Sequence, residues 1–470
     1  MGALESDIHY RNLTDVAGRI RRREIGARAL TEHMLERIAR LDPSLKAYVH
    51  VMADGARKAA DAADRDITQG FHRGPLHGVP VGVKDLLYTT DAPTGGGTTI
   101  HAKWTPPHEA TVVRRLRDAG AVILGKVKTS EGALFNHHPD IAAPVNPWKA
   151  DRWPGISSSG SAVSVAAGLC YAAIGSDTGG SIRLPSTANG LTGLKPTYGR
   201  VSRHGVFALA ETLDHVGPMA RSAADAAAML SVIAGADDND PTALRAPVPA
   251  YLSAPGPRLD GVRIGVDPTF GKETAVAEPV LNVLTAAVEI FRAFGAEIVA
   301  LPLPDSTAAR QAGIALIAAE AASAHAETFP ARANEYGPTT RDFLAMGHSL
   351  KATDLVQAQR AAAHYRARFL ALYENVDLIL MPVIPYPTPE KDVFAQVNGE
   401  GAHVTATIGF FTIILDIAGV PSLTVPGGFD SQGAPIGFQI VGNLLDEERV
   451  LQAGHLFQSL TDWHTKHPPV

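Results

Sequence analysis

Short apolar runs, each too brief to be a helix and each following a segment with helical periodicity, recur along this chain and constrain its fold more than any other feature. PLHGVPVGVKDLL reads as a turn followed by a short buried strand that carries Lys84. Residues 108–119 read as a helix and 121–127 as a strand. GSAVSVAAGLC reads as a helix, and YAAIGSD as a strand that ends in a glycine loop. Upstream, LTEHMLERIARLD sets Leu30, Met34, Leu35, Ile38 and Leu41 on one helical stripe, and DGARKAADAADRDI continues helically. The alternation persists beyond residue 220. SAADAAAMLSVIAG, PVLNVLTAAVEIFRAFG, 354–373 and DEERVLQAGHLFQSL read as helices. VRIGV, EIVAL, DLILMP, PSLTVP and APIGFQIVG read as strands. Alternating helices and short buried strands imply an α/β fold. The expected architecture is one large domain with a central mixed, mostly parallel twisted sheet covered by helices on both faces.

The chain has 470 residues, of which 45% are hydrophobic, so one large core can be built. PVPAYLSAPGPRLDG (248–261) is the richest stretch in proline and glycine, and it reads as a surface loop joining two halves of one sheet. The expected division is a single domain over 1–470, with a helical segment at 1–70, a core at 71–220 and the rest of the sheet with pocket loops at 221–470. The net charge of -6 argues against nucleic acid as a partner. The basic run Arg19–Arg23 reads as a solvated helix face because Glu24 follows it. No apolar run is long enough for a membrane span, and MGALESDIHYRNLTDV lacks the apolar centre of a leader, so a cytoplasmic protein is expected. Cys170 is the one cysteine, which excludes an internal disulfide framework. Its small, apolar surroundings read as a buried structural thiol.

Several near-motifs fail on physical grounds. GAVILGKV (120–127) approaches a phosphate loop, but its middle positions want to be a strand, and Val127 stands where a magnesium-binding hydroxyl belongs. TGGGTT (94–99) is not framed as a dinucleotide fingerprint. His137 and His138 are adjacent, so on a regular element they point apart, and no metal or other cofactor is expected. No G-x-S-x-G or S-x-x-K occurs.

What remains is a concentration of hydroxyls and glycines. GISSSGSAVSVAAG holds Ser157, Ser158 and Ser159 in a row, and GSDTGGSIRLP follows closely. A serine is a poor nucleophile until a base takes its proton, and a lysine can be that base if burial keeps it neutral. Lys84 follows the apolar run VPVGV; alone it reads more readily as a surface lysine at a strand end, bridged to Asp85. The backbone N–H groups of Thr178, Gly179, Gly180 and Ser181 can converge on one point if the glycines allow it, and such a nest suits an oxyanion. Ser181 alone reads equally as a plain helix cap.

Taken in order, PLHGVPVGVKD, DAGAVILGKVKTSE, the serine-rich loop, GSDTGGSIRLP, GLKPTYGRVSRHGV, LDHVGPMARSAADAA and GVPSLTVP…APIGFQIVG closely resemble the amidase signature family along essentially the whole chain. The resemblance implies the amidase signature fold and a Ser–cis-Ser–Lys triad. Ser181 would be the nucleophile, Ser157 the bridging serine and Lys84 the base. Thr178, Gly179, Gly180 and Ser181 would form the oxyanion hole. Ser158 would orient the relay, Asp177 and Arg183 would brace the loop as an ion pair, and Ser159 would only cap the helix. The family reads Gly-Gly-Ser-Ser where this chain reads Gly155-Ile156-Ser157, which leaves open whether the cis bond is kept. Asp416 stands where asparagine is common.

The activity implied is hydrolysis of carboxamide C–N bonds, extending to anilides or carbamates, on a small-molecule amide. The alternative is the amidase subunit of a glutamine-dependent tRNA amidotransferase. A catalytically dead binding protein is disfavoured because all three triad residues are present. Phe394, Phe410, Phe411 and Ile413 hint at a hydrophobic or aromatic substrate, although each reads more readily as core. A homodimer is the commonest soluble assembly, and the assembly state is left open.

Overall fold

Runs of residues buried on both faces become the strands of one sheet. The computed structural model describes residues 4–251, 258–272, 275–395 and 407–470. Its strands are β1 (Tyr48–Val51), β2 (Pro80–Lys84), β3 (Val122–Val127), β4 (Ala172–Asp177), β5 (Thr192–Lys195), β6 (His215–Ala220), β7 (Arg263–Val266), β8 (Glu297–Ala300), β9 (Leu378–Pro382), β10 (Ser422–Phe429) and β11 (Pro435–Gly442). They form an 11-stranded sheet in the order β1-β3-β2-β4-β6-β5-β10-β11-β9-β7-β8. β2 through β6, β9 and β11 are buried along their whole length, whereas the edge strands β1 and β8 are largely exposed. Continuous burial is what central strands covered by helices require. The 1–70, 71–220 and 221–470 segments all contribute strands to this one sheet. The fold is a single-domain α/β architecture with helices flanking a mixed sheet.

The sheet is less parallel than the alternation suggests. Parallel pairing is confined to β3·β2·β4 and to β9·β7·β8. The pairs β1·β3, β4·β6, β5·β6, β5·β10, β10·β11 and β9·β11 are antiparallel. β4 and β5 pair antiparallel with β6 from opposite sides, so they run in the same direction and the segment carrying the helix Arg183–Ala188 crosses over β6 between them. β10 and β11 join through a tight turn closed by Asp430 N–H donating to the Ala434 carbonyl at 2.9 Å.

Most read elements recur with shifted ends, including the helices Ala27–Leu45, Thr111–Asp118, Glu278–Ala293 and Glu447–Leu460. Leu30, Met34, Leu35 and Ile38 are buried on the first of these, with Leu41 half-buried against the core. β1, β5 and β6 and the helices Thr307–Ala324 and Pro338–Ser349 are additional. Of the 248–261 stretch, residues 252–257 lie outside the described residues. No helix among the described residues is long and apolar enough to cross a membrane.

Parallel register places the chemistry. Val83 of β2 pairs with Ile174 of β4, so Lys84, Ser176 and Asp177 come together at the carboxyl ends of neighbouring strands. The carboxyl ends of parallel strands are where α/β sheets present ligand sites.

Candidate active site

Lys84 ends β2 with no solvent exposure. Its Nζ lies 2.7 Å from Ser157 Oγ, 2.9 Å from Ser158 Oγ and 2.9 Å from Ser176 Oγ. Among the described residues no carboxylate lies within ion-pair distance of it. Asp85 instead faces Lys126, Oδ1 to Nζ 3.3 Å, because consecutive residues leave an extended chain in opposite directions. Burial pushes the Lys84 ammonium down to about 7; the Asp177 and Asp214 carboxylates offset part of that effect.

The serines at 157, 158 and 159 have different partners. The Ile156–Ser157 peptide bond is cis, which answers the question the isoleucine raised. Ser158 Oγ donates to the Ser176 carbonyl at 3.2 Å and accepts from Ser176 N–H at 3.3 Å. Ser159 opens the Ser159–Ala166 helix, but its hydroxyl meets His137 Nε2 at 2.9 Å and does not cap a backbone N–H. Gly155 permits the close approach of this loop to the next one. Its φ is +80°, and a Cβ there would collide with Pro185 in the Arg183–Ala188 helix.

Between β4 and that helix, Thr178–Ser181 form the second loop. Asp177, fully buried, organises it. Its carboxylate accepts from Gly180 N–H at 2.6 Å, Ile182 N–H at 3.0 Å, and the Arg183 guanidinium at 3.0 and 2.9 Å. Burial alone would raise the Asp177 carboxyl, but the Arg183 charge outweighs it and holds the group well below the carboxylate range. The Gly180 N–H is therefore already engaged. Among the described residues, the N–H groups of Thr178, Gly179 and Ser181 have no protein acceptor. Thr178 Oγ1 donates to Asp214 at 2.6 Å, and Thr412 Oγ1 donates to the Gly179 carbonyl at 2.6 Å. The two loops are tied directly: Ser158 N–H donates to the Ser181 carbonyl at 3.3 Å.

Arg183 has a second carboxyl partner, with Nη2 2.7 Å from Asp416 Oδ2. Burial, reinforced by neighbouring Asp177, pushes the Asp416 carboxyl well above its usual range. His215 Nδ1 lies 3.4 Å from Asp416 Oδ1, and burial holds this imidazole well below its usual value.

Thr178, Gly179 and Ser181 line a cavity of about 240 Å³. Its remaining walls are mostly apolar and include Ile156, Phe410 and Ile413. Of the other aromatic residues singled out from sequence, Phe411 is core, 2% exposed and edge-on to Phe270. Phe394 packs on Trp153 in an adjoining cavity of about 510 Å³. Cys170 is buried beside Ser164, and burial pushes its thiol up to about 11.

Ser176, Asp214 and His215 were not singled out by sequence reasoning. Ser176 is a lone hydroxyl in an apolar strand whose importance depends on a cross-strand neighbour. Asp214 and His215 did carry a signal, since they sit within LDHVGPM, a stretch already marked by resemblance.

The Amidase family model matches residues 29–451. A Mycobacterium tuberculosis protein provisionally named amidase AmiD is 44% identical over 467 residues, covering 99% of this chain and 97% of that one. One component of the glutamyl-tRNA(Gln) amidotransferase of a Synechococcus species is 37% identical over 471 residues, covering 93% and 95%. The solved peptide amidase of Stenotrophomonas maltophilia superposes with a TM-score of 0.82 at 30% identity, covering 98% of each chain. On this evidence the chain belongs to the amidase family, whose members hydrolyse amide C–N bonds, and it is an enzyme of that kind.

Proposed function

We propose that the protein is an amidohydrolase that works through a Ser181 acyl-enzyme, with Ser157 as proton relay and Lys84 as base. The observation that carries this reading is the buried contact of 2.7 Å between Lys84 Nζ and Ser157 Oγ. A neutral amine has two N–H donors and one lone pair. The Ser158 hydroxyl is spent on the Ser176 carbonyl, so Ser158 can only accept from Lys84. With Ser176 taking the second N–H, the lone pair is left for the Ser157 hydroxyl.

In the proposed reaction Ser157 passes its proton to Lys84 and takes the Ser181 proton. Ser181 Oγ then bonds to the substrate carbonyl carbon. The oxyanion that forms is held by the N–H groups of Thr178, Gly179 and Ser181; Gly180 contributes shape through its bond to Asp177. Collapse breaks the C–N bond, the relayed proton leaves with the amine, and water repeats the sequence to free the acid. No cofactor enters the scheme.

The test is a panel of aliphatic amides, anilides, aryl carbamates, dipeptide amides and glutamine, given to wild type, Ser181→Ala and Lys84→Ala. Fluorophosphonate labelling of Ser181 accompanies it. Hydrolysis that survives Ser181→Ala would move the chemistry elsewhere. The likeness to the amidotransferase component favours a second reading, in which glutamine supplies ammonia. Purified protein that releases ammonia from glutamine and ignores neutral amides would establish that one. The apolar walls of the Ser181 cavity weigh against it.

A further inference from the structure

The Ser181 cavity has one charged side chain in its lining among the described residues, Arg310. Arg310 projects from the first turns of the Thr307–Ala324 helix and stacks over the Phe410 ring, 4.1 Å from its centroid. Its Nε donates to Ser306 Oγ at 3.3 Å. Among the described residues no carboxylate lies within ion-pair distance of the guanidinium. Asp305 is near, but it accepts from Thr307 N–H at 3.1 Å and Thr307 Oγ1 at 2.9 Å. The exposed neighbours Thr307, Gln311 and Ile314 place Arg310 at the mouth of the cavity. Partial burial disfavours its charge, and Asp305 offsets only part of that cost.

A guanidinium stays charged in proteins and presents a planar fork that matches a carboxylate. An anion arriving at this mouth would meet N–H donors already oriented by stacking on Phe410, so little side-chain freedom would be lost on binding. The apolar walls inside exclude water and favour a hydrocarbon or aromatic body. We infer that the preferred substrates of this site are amides with an apolar body and one carboxylate remote from the scissile bond, and that Arg310 selects that carboxylate. This inference rests on the assignment of Ser181 as nucleophile.

Two matched pairs test it, one for each side of the bond: hexanoyl 4-nitroanilide against adipic acid mono-4-nitroanilide, and N-hexanoylaniline against N-hexanoyl-4-aminobenzoate. Wild type is expected to favour the acid in at least one pair. Arg310→Gln should lower kcat/KM for that acid about tenfold more than for its neutral partner, chiefly through KM. Arg310→Lys should keep part of the preference, since the charge remains while the fork is lost. Equal turnover within both pairs, or an equal loss for acid and neutral amide in Arg310→Gln, would overturn the inference and leave Arg310 as a prop for Phe410. Failure of the nucleophile assignment would show differently, as no turnover of any amide or as turnover that survives Ser181→Ala. Calorimetric binding of the same compounds to Ser181→Ala then decides the anion site without chemistry. Tighter binding of an acid, lost in the Ser181→Ala/Arg310→Gln double variant, supports it, and equal binding of acids and neutral amides overturns it.

Discussion

Lys84 Nζ and Ser157 Oγ lie 2.7 Å apart, and neither residue has any solvent exposure. An amine in such a place is most stable uncharged, and burial brings its midpoint to about 7. A base must be unprotonated to act, so kcat/KM should fall as pH drops through about 7, tenfold per unit on the acid side. Lys84→Ala should lose about 10²- to 10⁴-fold and should lose that limb as well. A rate that stays flat down to about pH 5 would count against a lysine base.

Ser158 and Ser159 are neighbours with different partners, and their alanine variants should behave differently. Removing the Ser158 hydroxyl leaves Lys84 short of one bond and the Ser176 backbone short of two, and frees the amine to turn. Ser158→Ala should therefore lower kcat by about 10- to 100-fold and displace the acid limb. Ser159→Ala breaks only the contact with His137, so kcat should change by less than about threefold. Steady-state rates across pH check both; equal losses would mean that the serines act only as loop scaffold.

Asp177 is the structural centre of the nucleophile loop. Asp177→Ala would leave the Arg183 guanidinium with only the Asp416 carboxyl and the Gln439 amide oxygen and would orphan the Gly180 and Ile182 N–H groups. Breaking a buried pair by removing one partner costs about 3–5 kcal/mol, and urea unfolding should show a loss of that order. The native Asp177 carboxyl is depressed, so its contribution is present above the ordinary carboxylate range and disappears as pH falls through the lower folded value. The gap between wild type and variant should accordingly narrow in acid.

Asp416 should show the opposite sign. Its folded carboxyl is raised, so above the ordinary carboxylate range the native state keeps a proton that the unfolded chain has released. Stability from this group therefore declines as pH climbs toward the folded value. Asp416→Asn removes the titration while keeping an oxygen for Arg183. The variant should gain more Tm at about pH 8 than at about pH 5, with a difference of roughly 2 °C or more. Thermal unfolding at the two values checks this, and a gain independent of pH would contradict it.

Much of the fold follows from local pattern. Short apolar runs such as Val122–Leu124 and Leu378–Pro382 read as buried strands, and the stripe from Leu30 to Ile38 reads as one helix face. The strand His215–Ala220 was not legible, because Gly217 and Pro218 interrupt its pattern. Pro218 is accommodated opposite Ile174 of β4, a position only the assembled sheet supplies. The excess of antiparallel pairs was hidden for a related reason: pattern reports where a strand lies, not which strand it meets.

At the site, residue type and order named Lys84, Ser157 and Ser181 as candidates through resemblance, and chemistry says what such groups could do. Residue order cannot say whether Lys84 pairs with Asp85 or with three hydroxyls from elsewhere in the chain; strand direction and register decide that. Nor can it say that the Gly180 N–H is taken by Asp177, or that Arg310 faces the same cavity as Ser181. Sequence by itself determined the elements and the reactive groups, since propensity and functional-group chemistry are local. Tertiary structure alone decided their partners, burial and charge state, since these depend on distances that separation along the chain does not encode.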